Sequence, residues 1–170
     1  MNTKTMPLWV SLAFMLAFSA CNSGKQNETA ATEESVEAPS VQPTGEVVEV
    51  LLLSNDQMTY DQKTITVKEG QTVRLTLRHT GTMPKAAMGH NFVLLKKGVS
   101  LSEFGQKSAS AAGSDYIPQS ERNNIIAHTK MIGGGESDTI EFVAPAKGEY
   151  EFLCSFPGHF AIMKGIFVVE

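Results

Sequence analysis

Cys154 closes a run in which every second residue is apolar, and its place there dictates more about the fold than any other single feature. In Glu149-Tyr150-Glu151-Phe152-Leu153-Cys154 the side chains of Tyr150, Phe152 and Cys154 fall on one face of an extended chain. A strand of this kind keeps one face in a core and turns the other to water, so the Cys154 sulfur is expected at a shielded strand end. The loop that follows, Ser155-Phe156-Pro157-Gly158-His159-Phe160-Ala161-Ile162-Met163, adds an imidazole and a thioether. Pro157-Gly158 predicts a tight turn that swings His159 back toward Cys154. Ile166 to Val169 then returns to strand character.

The rest of the domain has the same short-strand rhythm. Val47 to Leu53 is β-prone, Thr64 to Val67 is a short strand, and Val73-Arg74-Leu75-Thr76-Leu77-Arg78 alternates strictly. His90 to Leu95, Asn124 to His128 and Thr139 to Val143 complete the set. Residues 98–121 break the rhythm and read as a short helical flap packed on the sheets. Together these segments predict an all-β, Greek-key β-sandwich of about eight strands with a short helical flap. Gly133-Gly134-Gly135 is a turn and no phosphate loop, because neither the Lys-Ser/Thr pair nor a helix follows it.

The first 45 residues are of another kind. Residues 1–20, with Lys4 ahead of the apolar run Leu8 to Phe18, predict a signal peptide. Ser19-Ala20-Cys21 has the small-small-Cys ending of a lipidation site, with Cys21 as the residue that would carry the lipid. Residues 21–45 are polar, acidic and poor in large apolar side chains, and are expected to form a disordered tether with a span of roughly 25–30 Å. The folded domain is then residues 46–170, long enough for one core. Its single cysteine, Cys154, leaves it without a disulfide. The net charge of -4 gives no sign of nucleic-acid binding.

Chemistry points to a metal. Two imidazole nitrogens, one thiolate and a weak thioether describe a type 1, or blue, copper site: soft sulfur suits Cu(I) and imidazole suits both oxidation states. Cys154, His159 and Met163 supply three of these donors and His90, in Met88-Gly89-His90-Asn91, the fourth. Zinc is disfavoured, since a thioether is a poor ligand for it.

These segments resemble the cupredoxins, and among them the azurins most. Asn55-Asp56-Gln57-Met58, Met88-Gly89-His90-Asn91, Ile126-Ala127-His128-Thr129-Lys130 and the Cys154–Gly165 stretch are all similar to azurin segments, in azurin order, over residues 47–170. The resemblance implies one copper per chain, a weak contact from the Gly89 carbonyl, hydrogen bonds from Asn91 that tie the ligand loops together, and a Phe156 amide donating to the Cys154 sulfur. It also implies a docking patch around His159, here Met58, Met83, Met88, Phe156, Pro157, Phe160 and Ala161. His79 is expected to be partly buried and His128 at the surface. Three features depart from the azurin pattern: no Cys pair stands near the start of the domain, Phe92 replaces a Trp, and the leader and tether are added.

The function that follows is single-electron transfer in the periplasm or cell envelope, on a lipid-tethered domain. The partners expected are redox proteins such as c-type cytochromes or copper reductases and oxidases, with no small-molecule substrate. Copper delivery or storage is the alternative, and a copper-free interaction domain a third. An enzyme has the least support, because no open substrate position and no acid–base pair is evident.

Overall fold

The chain divides into Met1–Val36 and Glu37–Glu170. The computed structural model describes residues 41–170, so the expected signal peptide, Cys21 and most of the tether lie outside the described residues. Among the described residues, no helix is long and apolar enough to cross a membrane.

Among the described residues, eight strands form two sheets. Strands β1 (Val47–Ser54), β3 (Thr72–His79) and β6 (Ser137–Val143) make the first, in the order β1-β3-β6. The second is β2 (Thr64–Val67), β8 (Lys164–Val169), β7 (Gly148–Leu153), β4 (Val93–Leu95) and β5 (Ile125–His128), in the order β2-β8-β7-β4-β5. The pairs β1–β3 and β2–β8 are parallel and the others antiparallel. After β5 the chain crosses to the first sheet as β6, then returns to lay β7 beside β4. That return makes the Greek key and brings Cys154 close to the residues just before β4.

Alternation decides what is inside. Val73, Leu75 and Leu77 of β3 have no exposed surface, while Arg74 faces out between Glu49 and Glu141 at 2.6 and 2.5 Å. Tyr150 and Phe152 form the inward row of β7, and Cys154, just after the strand, continues it. They join Leu52, Phe92, Leu94, Met163 and Phe167 in the main core between the sheets.

The strand expected over 90–95 is regular only from Val93 to Leu95. His90 makes an isolated bridge to Ile132, with hydrogen bonds of 2.9 and 2.8 Å. Phe92 donates its amide to the Thr129 hydroxyl instead of to a strand, at 2.9 Å. A side chain thus takes a ladder position, and the backbone is free to turn His90 into the interior.

The flap consists of helix α2 (Leu101–Ser108) and two 3₁₀ turns, Ala112–Ser114 and Gln119–Asn124. The Ser100 hydroxyl caps α2 by accepting from the Glu103 amide at 3.3 Å. Leu101 and Phe104 bury their side chains with Val93, Leu95, Ile117 and Leu153 in a second apolar cluster, and Phe160 packs against it. At Gly105 a Cβ would come within 2.3 Å of the Phe160 ring, so glycine lets that ring lie flush on the helix. A shorter helix, α1 (Lys85–Met88), precedes His90. Four residues show no periodicity, and α1 was not foreseen for that reason.

The end of the tether is fixed near the turn into β3. Thr44 donates its amide to the Gly70 carbonyl at 2.8 Å, and the Glu46 carbonyl accepts from the Thr72 amide at 2.8 Å.

Phe104→Ala removes a ring that is 1% exposed from the cluster holding the flap. It is expected to cost about 3–5 kcal/mol in urea unfolding, whereas Leu51→Ala, at a side chain 52% exposed, should stay within about 0.5 kcal/mol.

Candidate metal centre

Three loops converge where β3 and β7 end and β4 begins. The ligand loop leaves β7 at Cys154 and is closed by the Cys154 amide donating to the Met163 carbonyl at 2.9 Å. Within it the His159 amide donates to the Phe156 carbonyl at 3.0 Å, and the Met163 amide to the His159 carbonyl at 2.8 Å. Gly158 takes φ +83°, in the left-handed region where a Cβ is disfavoured. The reversal places His159 at the head of a 3₁₀ turn, His159–Ala161, facing back over Cys154.

The His90, Cys154 and His159 donor atoms all lie within 4.8 Å of one another. Cys154 Sγ is 3.9 Å from His90 Nδ1 and 3.6 Å from His159 Nδ1. Two bonds of about 2.0–2.3 Å meeting near 120° at one ion would separate their donors by about this much. The Gly89 carbonyl lies 3.8 Å from the sulfur. Met163 is fully buried in the core cluster that also contains Cys154. A buried thiol between two imidazoles, with a thioether on the same closed loop, is a donor set that fits copper.

The His90 imidazole is oriented from behind. His90 Nε2 donates to the Asn55 carbonyl at 2.9 Å, which leaves Nδ1 to face Cys154. The Asn55 side chain shapes its own loop by accepting from the Gln57 amide and the Thr59 hydroxyl, both at 2.9 Å. Asp56 clamps that loop to the next by accepting from the Thr82 and Met83 amides at 2.9 and 3.2 Å. His79 is fully buried and stacks on His90 with ring centroids 4.4 Å apart. Its Nε2 donates to the Met88 carbonyl at 3.1 Å, and its Nδ1 accepts from the Gly81 amide at 3.0 Å. His79 is therefore buried completely, not partly. His128 is exposed.

Asn91 joins the two halves of the centre. Its Oδ1 accepts from the Ser155 amide at 2.8 Å, and its Nδ2 donates to the Ser155 hydroxyl at 2.8 Å. Below it, the buried Tyr60 hydroxyl donates to the Asn91 carbonyl. The Phe156 ring lies 4.6 Å from His159.

Burial dominates the electrostatics. It pushes the Cys154 thiol up to about 12, against the pull of backbone amides from Asn91 and Phe156 that sit against the sulfur. Burial also lowers both imidazoles to about 4, with the nearby His79 adding to the shift. The site favours neutral protons-on sulfur and protons-off nitrogen until a cation arrives.

Sequence reasoning named Asn91 but missed its partner Ser155, the Asn55 carbonyl and the Asp56 clamp. Backbone donors and acceptors leave no trace in residue type. Of the residues expected around His159, Met83 and Ala161 are exposed and Met58, Met88, Phe156 and Pro157 are half-buried. Phe160 is half-buried against α2. Ile162, 52% exposed, adds an apolar side chain that was not anticipated.

The family described as copper binding proteins, plastocyanin/azurin family, matches residues 47–170. An azurin from Alcaligenes faecalis is 43% identical over 121 residues, covering 69% of this chain and 94% of that protein. Outer membrane protein H.8 of Neisseria meningitidis is 44% identical over 115 residues, covering 66% of this chain. The match spans 62% of that protein's length. Among solved structures, an auracyanin from Roseiflexus castenholzii aligns with a TM-score of 0.66 and 39% identity, over 74% of this chain and 99% of its own.

Two consequences of the protonation states can be measured. At neutral pH the imidazoles are already neutral and the thiol is protonated, so copper binding should release one proton, from Cys154. Calorimetry in buffers of different ionisation enthalpy reads this number, and release of two or more would contradict it. In the copper-free protein, the native imidazoles titrate near 4 but their unfolded forms near 6.5. The unfolded chain binds more protons between those values, so stability should fall as pH drops from about 6.5 toward 4. Urea midpoints across that window check the sign.

Proposed function

This chain belongs to the plastocyanin/azurin family of copper-binding proteins, and on that premise we propose that it carries single electrons between redox proteins of the cell envelope. One observation carries the reading: a buried thiol and two buried imidazoles, one of them braced from behind by the Asn55 carbonyl, face one point in the core. Copper, when bound there, supplies a one-electron couple whose two oxidation states share this donor set. His90, Cys154 and His159 would hold it, with the Met163 thioether as a weak donor and the Gly89 carbonyl as a weaker contact.

The chain's own residues supply the rest. Bracing by Asn91, Asn55 and the core keeps the donors in place, so little has to move when charge changes. The bulk of the sandwich excludes water from the sulfur. His90 and Cys154 have no exposed surface and His159 has 3%, so the route to a partner leads through His159. Met58, Met83, Met88, Phe156, Pro157, Phe160 and Ala161 would form the rim on which that partner docks. A small, partly apolar rim suits an encounter that must end quickly. No substrate position or acid–base pair is required of such a carrier, in contrast to an enzyme.

Location follows from the sequence before the domain. A signal peptide and a lipid on Cys21 would export the protein and anchor it to a membrane, with residues 22–45 as the tether. The similarity to an outer membrane protein supports an envelope setting.

The reading is tested by film voltammetry of the copper-loaded protein. Met163→Leu removes only the weak donor and should keep a reversible wave at a higher potential. Cys154→Ser should lose the wave. Equal behaviour of the two variants would overturn the assignment of roles.

A further inference from the structure

The flap contains a turn whose backbone is costly. Asp115 and Tyr116 are consecutive, neither is glycine, and both are left-handed, at φ +52° and +59°. A side chain disfavours this region, and a bulky one most. Surrounding contacts hold the turn in place. The Tyr116 amide donates to the Ala111 carbonyl at 3.0 Å, and Asp115 Oδ2 accepts from the Met131 amide at 3.4 Å.

What the turn presents is directed at the metal centre. The Asp115 carbonyl accepts from Asn91 Nδ2 at 3.4 Å, the same group that bonds to the Ser155 hydroxyl. The Tyr116 ring meets the Phe156 ring edge-on, with centroids 5.1 Å apart at 64°. With Lys85, Ala86 and Met131, these two rings line a cleft of about 240 Å³ beside the ligand loop. No hydrogen bond holds the Phe156 ring; Tyr116 on one side and His159 on the other are its aromatic walls.

We propose that the Asp115–Tyr116 turn is a positioning device for the metal centre: by bracing Asn91 and Phe156 it keeps their backbone amides against the Cys154 sulfur. Strain at a site that packing over-determines is the setting in which such a role arises. The electronic consequence has a definite sign. Amides that withdraw electron density from the thiolate favour Cu(I). When they loosen, the sulfur becomes a stronger donor, Cu(II) is favoured and the potential falls. Tyr116 acts through its ring and not its hydroxyl, so Phe should replace it and aliphatic residues should not.

This rests on the copper reading of the centre, so one measurement is made without copper. In the copper-free protein, the Phe156 amide should exchange hydrogen faster in Tyr116→Leu, by up to about tenfold, the equivalent of losing one aromatic pair. In the loaded protein, the potential should fall in the series Tyr116→Phe, Tyr116→Leu, Tyr116→Ala, with Phe close to the parent. The graded series keeps the test decisive if the Ala variant does not fold. Lys107→Met is the control: it breaks the 2.7 Å Lys107–Glu121 pair elsewhere in the flap. It should lower the melting temperature but leave both the Phe156 exchange and the potential unchanged. Parent-like exchange and potential in Tyr116→Leu would overturn the proposal, as would an equal shift in Lys107→Met. Faster exchange with an unchanged potential would overturn its electronic half alone.

Discussion

Everything at the metal end depends on the pair of hydrogen bonds between Asn91 and Ser155. His90 and Cys154 are 64 residues apart in the chain, and each lies beside one member of that pair. Both bonds are 2.8 Å long and fully buried. A buried amide side chain that lost these partners would pay the full desolvation penalty, which makes the join specific as well as strong. With Asn91 held from below by Tyr60 and from the side by Asp115, the two ligand-bearing segments behave as one piece. The neutral thiol and imidazoles are thereby kept facing one point before any cation arrives.

The scaffold explains why that arrangement is affordable. The parallel pair β1–β3 ends at Ser54 and His79, directly behind His90. The antiparallel pair β7–β8 brackets the ligand loop and closes it through the Cys154 amide. Both sheets therefore deliver strand ends to the same place, and the loops there are clamped by Asp56 and Asn55 rather than left to find their positions. The opposite side of the design is the rim, where Met83 and Ile162 keep apolar surface in water. Such surface costs little in a small area and, on the proposed function, is what a partner would cover.

Much of this was legible in the residues. Strict alternation in β3 and β7 decided which side chains are inside, and the place of Cys154 directly after β7, in step with Tyr150 and Phe152, put its sulfur in the interior. The Cys154–His159 spacing and His90 pointed to the thiol and imidazoles that the fold brings together, because these side chains are rare enough together to be informative. Other features were hidden for identifiable reasons. Phe92 bonds to Thr129 instead of a strand, a side-chain substitution for backbone that no periodicity registers, so β4 was read too long. The Asn55 carbonyl that orients His90 is a backbone group, available at every residue and visible only in the fold. Helix α1 is a single turn set by Pro84 and tertiary contacts. The left-handed Tyr116 is the opposite of what its residue type would suggest, and only a crowded neighbourhood makes it tolerable.

On the proposed function, the Cys154 thiolate and the two imidazoles bind one copper ion as a type 1 centre. The visible and electron paramagnetic resonance spectra of the domain loaded with Cu(II) test it most directly. An intense thiolate-to-Cu(II) band in the visible, with a resonance spectrum showing strong delocalisation onto sulfur and one copper per chain, is the result expected. A Cu(II) spectrum without that band, or binding of Cu(I) alone, would contradict it.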